Sequence, residues 1–219
     1  MPEQLNEIEA RIVGALVEKQ LTTPEYYPLT LNALVNACNQ KTNREPVSSL
    51  DEKTVTDALE ILRERNLVYV FYGSTSRVPK YKHMLPSVYE TDPAATAVMC
   101  VLMLRGPQTL GELRGRTDRL YEFSGLGEVQ ETLDGLARRD EPLIAKLERQ
   151  AGQKEARFAH LLSGDIDIEA LAAAASTQRR PTSAIDDDRA GKLEQEIAGL
   201  REEIEGLRAT FEEFRKQFE

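Results

Sequence analysis

Apolar residues recur at helical spacing from the start of the chain. The first stripe consists of Ile12, Val13, Leu16 and Val17, which would share one face of an α-helix. Asn6 stands three residues before Glu9, the spacing of a capping box, and marks where this helix begins. Residues 24–28 carry a proline at each end and are predicted to form a loop. Thr30 then caps a second helix, whose stripe is Leu31, Leu34, Val35 and Cys38.

The pattern changes over residues 51–85, around which the first half of the chain is organised. A third helical stripe comes first and consists of Val55, Ala58, Leu59 and Leu62. Residues 67–72 switch to β-branched and aromatic types, 73–76 have turn composition, and 78–84 return as a partner strand. A helix that leads into a β-hairpin is typical of the third helix and wing of a winged helix. Ser49 and Asp51 are both suitable caps for this helix.

The second half of the chain repeats the first. The apolar pairs of the first helix recur at 98–99 and 102–103, and the segment 28–34 recurs at 107–113. The third stripe recurs at Val129, Leu133 and Leu136. Leu143 and Ile144 repeat the start of the strand, and 157–162 repeat 80–85. Five matches in the same order predict two copies of one fold, and Phe158 is expected to fill the second core.

The repeat defines the expected domains. We predict a mainly helical α+β protein with winged-helix domains at 1–86 and 92–163 and a flexible linker at 164–188. Over 189–219, apolar residues alternate spacings of four and three, which predicts a coiled-coil helix. Its seam consists of Leu193, Ile197, Leu200, Ile204, Leu207, Phe211, Phe214 and Phe218. Ile at a and Leu at d favour a parallel homodimer, while docking onto the chain's own domains or another protein stays open.

Charge and cysteine content narrow the function classes. The net charge of the 219 residues is −9, but residues 164–219 hold 14 acidic and 8 basic side chains, so the body is nearly neutral. Cys38 and Cys100 are separate thiols in helical patterns, which favours a reducing cytoplasm over a disulfide framework. Neither is at metal-ligand spacing with the two histidines. The chain shows neither a signal-peptide pattern nor a membrane-spanning run.

Catalytic constellations are missing from the sequence. No catalytic residue, metal or cofactor is predicted, because no nucleophile–base, paired-carboxylate or phosphate-loop pattern is found. His83 and His160 occupy equivalent places in the two copies, which indicates a requirement of the fold. A pH-sensitive histidine pair is the alternative interpretation.

Three segments carry a family resemblance. The segments LNEIEARIVGALVEKQ, YPLTLNALVNACNQKTNREPV and RVPKYKH closely resemble the YceH family of uncharacterised bacterial proteins. The resemblance covers roughly the first 160 residues. It implies a tandem winged-helix fold and no assigned activity, so no functional residue is carried over from it.

The winged-helix prediction favours non-enzymatic, regulatory DNA binding by the first domain. Side chains of the third helix would reach base edges, and cations of the loop and wing would meet phosphates. The candidate residues are Lys41 and Arg44 in the loop, Lys53, Thr54 and Thr56 in the helix, and Arg77, Lys80 and Lys82 in the wing.

A protein-interaction or assembly module is the alternative function. The third helix also carries several carboxylates, which would repel phosphate. The long connection at 39–46 and the tyrosines of 24–28 would suit a binding loop, although those tyrosines could equally cover the end of the first helix. The charge on the third helix and wing discriminates the two classes. A contiguous positive face favours DNA, and a neutral or negative one favours protein.

Overall fold

The computed structural model describes residues 4–72, 78–147 and 155–164, which form two similar halves. The first half comprises α1 (Glu7–Thr22), β1 (Leu29–Thr30), α2 (Leu31–Cys38), α3 (Glu52–Glu64), β2 (Val68–Tyr72) and β3 (Pro79–His83). A short helix, α4 (Leu85–Tyr89), follows. The second half comprises α5 (Pro93–Arg105), β4 (Gln108–Thr109), α6 (Leu110–Thr117), α7 (Leu126–Ala137), β5 (Ile144–Leu147) and β6 (Arg157–His160). The fold is therefore mixed helix and sheet, in agreement with the α+β prediction.

The two sheets have the same strand order and the same register. They run β1-β3-β2 and β4-β6-β5, and all their pairs are antiparallel. Tyr81 lies opposite Leu29 and Val70, and Phe158 lies opposite Gln108 and Lys146. The predicted strand pair between residues 143 and 162 is confirmed, and Phe158 is buried at 6% exposure.

Helix starts follow local signals in the sequence. The Asn6 side chain accepts from the Glu9 amide at 2.8 Å, and the Glu9 carboxylate accepts from the Asn6 amide at 3.0 Å, so the predicted capping box is confirmed. Thr30 caps α2. Asp51 caps α3, with its carboxylate 2.7 Å from the Thr54 amide, which decides between the two candidate caps.

Two connections are more ordered than predicted. Pro24–Tyr26 forms a 3₁₀ turn, although the prolines had predicted a plain loop. Proline is compatible with the first position of such a turn because the amide there needs no partner within the helix. Leu85–Tyr89 forms helix α4 across the predicted domain boundary near residues 86–92, where no element was predicted. This short helix buries Leu85 and Tyr89.

The halves pack through their first helices. α1 buries its predicted stripe completely, and α5 is buried along its whole length from Ala95 to Leu104. A helix that is apolar all round must be covered on every side; α5 packs on its own half and on α1. Close approach depends on Gly14, where an added Cβ would lie 3.0 Å from the Leu104 side chain.

The helix contact has the character of a two-fold interface. The repeat makes Gly14 equivalent to Cys100, and the Cys100 thiol donates to the Gly14 carbonyl across 3.4 Å. It also makes Glu18 equivalent to Leu104. The positions that meet across the two helices, Gly14 with Cys100 and Gly14 with Leu104, therefore include a pair that the repeat makes equivalent.

The predicted linker beyond Gly164 and the predicted coiled-coil helix lie outside the described residues. In the described part of the chain, no helix combines the length and apolar character needed to cross a membrane.

Candidate macromolecule-binding surface

The predicted DNA-binding residues fall into three places in the first half. Lys41 is exposed in the connection between α2 and α3. Lys53, Thr54 and Thr56 lie in the first turns of α3, and Lys80 and Lys82 lie on β3. Arg77 lies outside the described residues.

The solvent side of α3 is acidic. From the Asp51 cap to the end of the helix, the exposed acidic side chains are Asp51, Glu52, Asp57, Glu60 and Glu64, and the exposed basic ones are Lys53 and Arg63. Lys53 is 2.6 Å from the Asp57 carboxylate, whose hydrogen bond and charge raise the pKa of Lys53. The Thr56 hydroxyl donates to the Glu52 carbonyl at 2.8 Å. This helix therefore presents a net negative face.

Arg44 departs from the prediction. Its side chain is fully buried, and its two terminal nitrogens donate to the two Glu18 carboxylate oxygens at 3.1 and 2.6 Å. A further bond of 2.8 Å reaches the Ala37 carbonyl. Burial alone would raise the pKa of Glu18, but the hydrogen bonds and charge of Arg44 outweigh it and lower that pKa. Because the guanidinium is committed to these partners, Arg44 is a structural residue and leaves the predicted phosphate-contacting set.

Further hydrogen bonds, besides those of Arg44, hold the connection between α2 and α3 in place. Arg11 of α1 donates to the Pro46 carbonyl at 2.7 Å. The Asn39 side chain makes two bonds of 2.7 Å with the backbone of Leu50. The Glu45 amide donates to the Leu104 carbonyl of α5 at 2.9 Å. The connection is therefore tied to α1, α2 and α5 at several points, although most of its residues, among them Lys41 and Val47, are exposed.

The two tyrosines of 24–28 have different roles. Tyr26 is 72% exposed. The Tyr27 hydroxyl accepts a hydrogen bond of 2.7 Å from the His83 amide, and burial raises the pKa of that hydroxyl. Because β1 has only two residues, this hydroxyl serves the β3 amide that a longer strand would have paired. Tyr27 thus completes the sheet, whereas Tyr26 is exposed on the 3₁₀ turn.

Lys80 and Lys82 share a face of the first sheet with two aromatic residues that sequence reasoning missed. Tyr69 lies opposite Lys82, and Phe71 lies opposite Lys80, so all four side chains project from the outer face. Tyr69 is 60% exposed and Phe71 is 46% exposed. The signal was present in the run Val68–Tyr72, which lacks the polar alternation of a strand with one wet face.

The histidines and cysteines lie within the fold. His83 and His160 end β3 and β6, opposite Val68 and Ile144, and burial lowers the pKa of each to about 4. For His83 the charge of Lys82 adds to this effect. Burial raises the pKa of Cys38 to about 12, which makes its thiol unreactive. Among the described residues, no group of three or more His, Cys, Asp or Glu side chains could hold a metal ion.

Known proteins are similar to this chain across both of its halves. Residues 5–153 match the family model described as "Protein of unknown function, DUF480". The chain belongs to the DUF480 family. It is 52% identical to a UPF0502 protein of Citrifermentans bemidjiense over 90% of each chain. It is 47% identical to a UPF0502 protein of Geobacter sulfurreducens over 98% of each chain. Both names denote an uncharacterised family, and the YceH name remains a resemblance.

A groove beside α7 is a further concave feature of this DUF480 protein. It has a volume of about 310 Å³ and is lined by residues of 90–95 and of α7. Two of its polar groups are already engaged: Asp92 caps α5, and Arg139 donates to the Glu90 carbonyl at 3.3 Å. None of the lining residues is a histidine, cysteine or serine.

Proposed function

We propose that this DUF480 protein is a non-enzymatic, cytoplasmic protein with two winged-helix domains, and that it binds a protein partner. The winged-helix assignment is supported by the order helix, strand, helix, helix, strand, strand in each half. It is further supported by the third strand lying between the other two in both sheets. The absence of an assigned activity in the family leaves the interaction surface as the basis of the proposal.

The observation that carries the proposal is the charge of α3. A helix-turn-helix protein reads DNA by placing this helix in the major groove, where phosphates flank it on both sides. From Asp51 to Glu64 this helix exposes five carboxylates and only two cations. One of those cations is neutralised by Asp57. Because affinity for DNA comes largely from cations that displace counterions, a negative third helix favours a protein partner.

Regulatory binding of duplex DNA is the second candidate function, and the wing favours it. No carboxylate of the described residues lies within ion-pair distance of Lys80 or Lys82. With Lys41 and Arg77, these lysines could contact about four phosphates. The slope of log affinity against log salt would then be near −4.

A binding titration of the full chain tests the proposal. Labelled duplex fragments are titrated at low salt, with Lys80→Gln plus Lys82→Gln as the variant. We expect the wild type and the double variant to show the same affinity for duplex DNA, whether that affinity is weak or undetectable. A salt-dependent complex that the double variant loses for all sequences alike would overturn the proposal in favour of DNA binding.

We also propose that the protein is a homodimer through residues 189–219. The proposal rests on the heptad pattern of the sequence and on opposite charges at flanking positions, such as Glu196 with Arg201 and Glu203 with Arg208. Sedimentation of the full chain and of a chain ending at Asp188 tests it. We expect only the full chain to dimerise at micromolar concentration. A monomeric full chain, or equal dimerisation of both, would contradict the proposal.

A further inference from the structure

Strand β2 has an open edge. It stands at one end of the order β1-β3-β2, so in the described part of the chain only its β3 side is paired. The Met84 amide donates to the Leu67 carbonyl at 2.8 Å, which sets the alternation of the ladder. By that alternation Tyr69 and Phe71 bond to β3, whereas Val70 and Tyr72 direct their amides and carbonyls away from it. These groups form a template for another extended chain.

The side chains beside this edge are apolar and exposed. Tyr69, Phe71 and Tyr72 are 60%, 46% and 66% exposed. The strand reads VYVFY and carries no charge. Uncharged, β-prone edges are hazardous because they pair with other chains, and proteins commonly protect them. Tyr69 and Phe71 are neighbours on the outer face, whereas Tyr72 lies on the inner face, so an exposed aromatic ring stands on each side of this edge. Exposed apolar surface that other side chains do not cover is typical of an interaction site.

The second half shows the protected form of the same edge. Strand β5 has the residues Ala145, Lys146 and Leu147 where β2 has Tyr69, Val70 and Phe71. Lys146 lies over the Phe158 ring, with its amine 6.0 Å from the ring centroid. A lysine on an edge strand is one of the usual devices against unwanted pairing. The chain therefore protects one of two equivalent edges and leaves the other apolar.

Charge indicates which kind of chain the open edge fits. Lys80 and Lys82 stand on the outer face, one strand behind Phe71 and Tyr69. The acidic helix α3 lies on the inner side of the first sheet. Burial there raises the pKa of Tyr81, on which the charges of Arg63 and Glu60 also act. A strand added to β2 would lie about 10 Å from β3, a distance that a lysine and a glutamate can span together. Carboxylates on the outer face of that strand would meet both lysines.

We propose that β2 takes up an extended peptide segment of a partner protein as a fourth strand of the first sheet, and that acidic residues alternate with apolar ones in that segment. Main-chain hydrogen bonds supply affinity in such strand addition, and side-chain contacts supply specificity. The assignment rests on the proposed protein-binding function. Single-stranded nucleic acid would also use aromatic and basic side chains, but it has no use for an open backbone edge.

A substitution copied from the second half tests the proposal. The edge-swap variant carries Tyr69→Ala, Val70→Lys and Phe71→Leu, which gives β2 the residues that β5 already holds in the same register. Val70→Lys alone is the milder version. Tyr26→Ala, which removes an equally exposed tyrosine far along the chain, is the control. Thermal unfolding checks that each variant folds.

Full-length wild-type protein is used to select from a phage-displayed library of random twelve-residue peptides. We expect enrichment of peptides in which Asp or Glu alternates with apolar residues. Titration of the best synthetic peptide should give at least tenfold weaker binding to the edge-swap variant. Lys80→Gln plus Lys82→Gln should weaken binding several-fold and reduce its salt dependence. Tyr26→Ala should bind as wild type does, and the peptide should slow hydrogen exchange at the Val70 amide.

Each contrary outcome has a distinct meaning. Peptides that bind the edge-swap variant as well as wild type would overturn the β2 assignment while the protein-binding function stands. No enriched peptide, together with wing-dependent duplex binding, would overturn both. Tighter binding of the oligonucleotide dT12 than of any peptide would assign the face to single strands. Self-association that the edge-swap variant loses would assign it to a second copy of the chain.

Discussion

The connection between the second and third helices closes differently in the two halves. In the first half it runs over 39–51 and is held by a buried guanidinium and carboxylate. In the second half it runs over 118–125, where the partly exposed Glu128 of α7 accepts from the Tyr121 hydroxyl at 2.8 Å and the Ser124 amide at 2.7 Å. The shared order of elements requires that each connection be fixed in place, but it does not dictate which side chains do so. The longer one needs an anchor from α1, and the shorter one is held by the helix it leads into.

Removing the buried anchor should have the largest effect. Arg44→Met leaves the Glu18 carboxylate, only 11% exposed, without its main partner. We expect a loss of about 3–5 kcal/mol in the free energy of unfolding, measured by urea denaturation. Glu128→Gln should cost clearly less in the same denaturation experiment, because a carboxylate near the surface can be replaced by water in its hydrogen bonds.

The double variant Glu18→Leu plus Arg44→Met is the control for that prediction, because Leu104 stands at the position equivalent to Glu18. It should recover much of the loss, since no buried charge remains unpaired. Equal losses for Arg44→Met and Glu128→Gln would contradict the difference between the two connections.

The central residue of each sheet gives the next comparison. Phe158 is buried, whereas Tyr81 is only partly buried in the equivalent register. Phe158→Ala should therefore cost about 3–5 kcal/mol in the free energy of unfolding. Tyr81→Ala should cost clearly less in the same denaturation experiment. A larger loss for Tyr81→Ala than for Phe158→Ala would contradict this prediction. It would mean that the central residue contributes more to stability in the first sheet than in the second.

The two histidines should respond alike to pH. Each has a folded pKa of about 4, below the usual 6.5, so the unfolded state binds more protons between these values. Stability should therefore fall as pH drops from 6.5 towards 4, by roughly 3 kcal/mol per histidine when the window is crossed. Denaturation between pH 7 and 5 isolates this effect, because Glu18 and the other carboxylates with lowered pKa values lose their contribution at lower pH.

His83→Asn and His160→Gln should each remove about half of that pH dependence. Asparagine keeps an acceptor for the Leu85 amide, which lies 3.3 Å from the His83 Nδ1 atom. If one substitution removes the whole dependence and the other none, the two positions are not equivalent in function.

A glycine pair gives the smallest expected effect. Gly14→Ala should cost about 1–3 kcal/mol through overpacking against Leu104, partly offset by the better helix propensity of alanine. Gly135 in α7 has nothing within 4 Å of an added Cβ, so Gly135→Ala should instead stabilise by about 0.5–1 kcal/mol. Thermal unfolding measures both. Two stabilising substitutions would mean that α1 and α5 can separate without cost.

Sequence patterns predicted what depends on neighbours in the chain. The helix stripes, the caps at Asn6 and Thr30, and the repeated strand pair all follow from periodicity and turn chemistry within a few residues. The burial of Arg44 did not, because its partner Glu18 lies 26 residues away and the composition around Arg44 is that of an ordinary polar loop.

The candidate surface was predictable only in part for the same reason. Lys80 and Lys82 were identified by charge, and β2 was identified as a strand from its residue types. Whether the far side of that strand is covered depends on the order of strands in the sheet. The sequence of Val68–Tyr72 alone does not contain that information.

The lysine at position 146 also sets how many chains an assembly through strand edges could contain. A molecule with two apolar edges can join a neighbour on each side, and such joining continues into a fibre. Strands β1 and β4, the other edges of the two sheets, have only two residues each, and very short edges resist pairing. With Lys146 on β5, β2 is the one long uncharged edge in the described part of the chain. One molecule can therefore pair with one other strand through its edges, and any such pairing stops after a single partner.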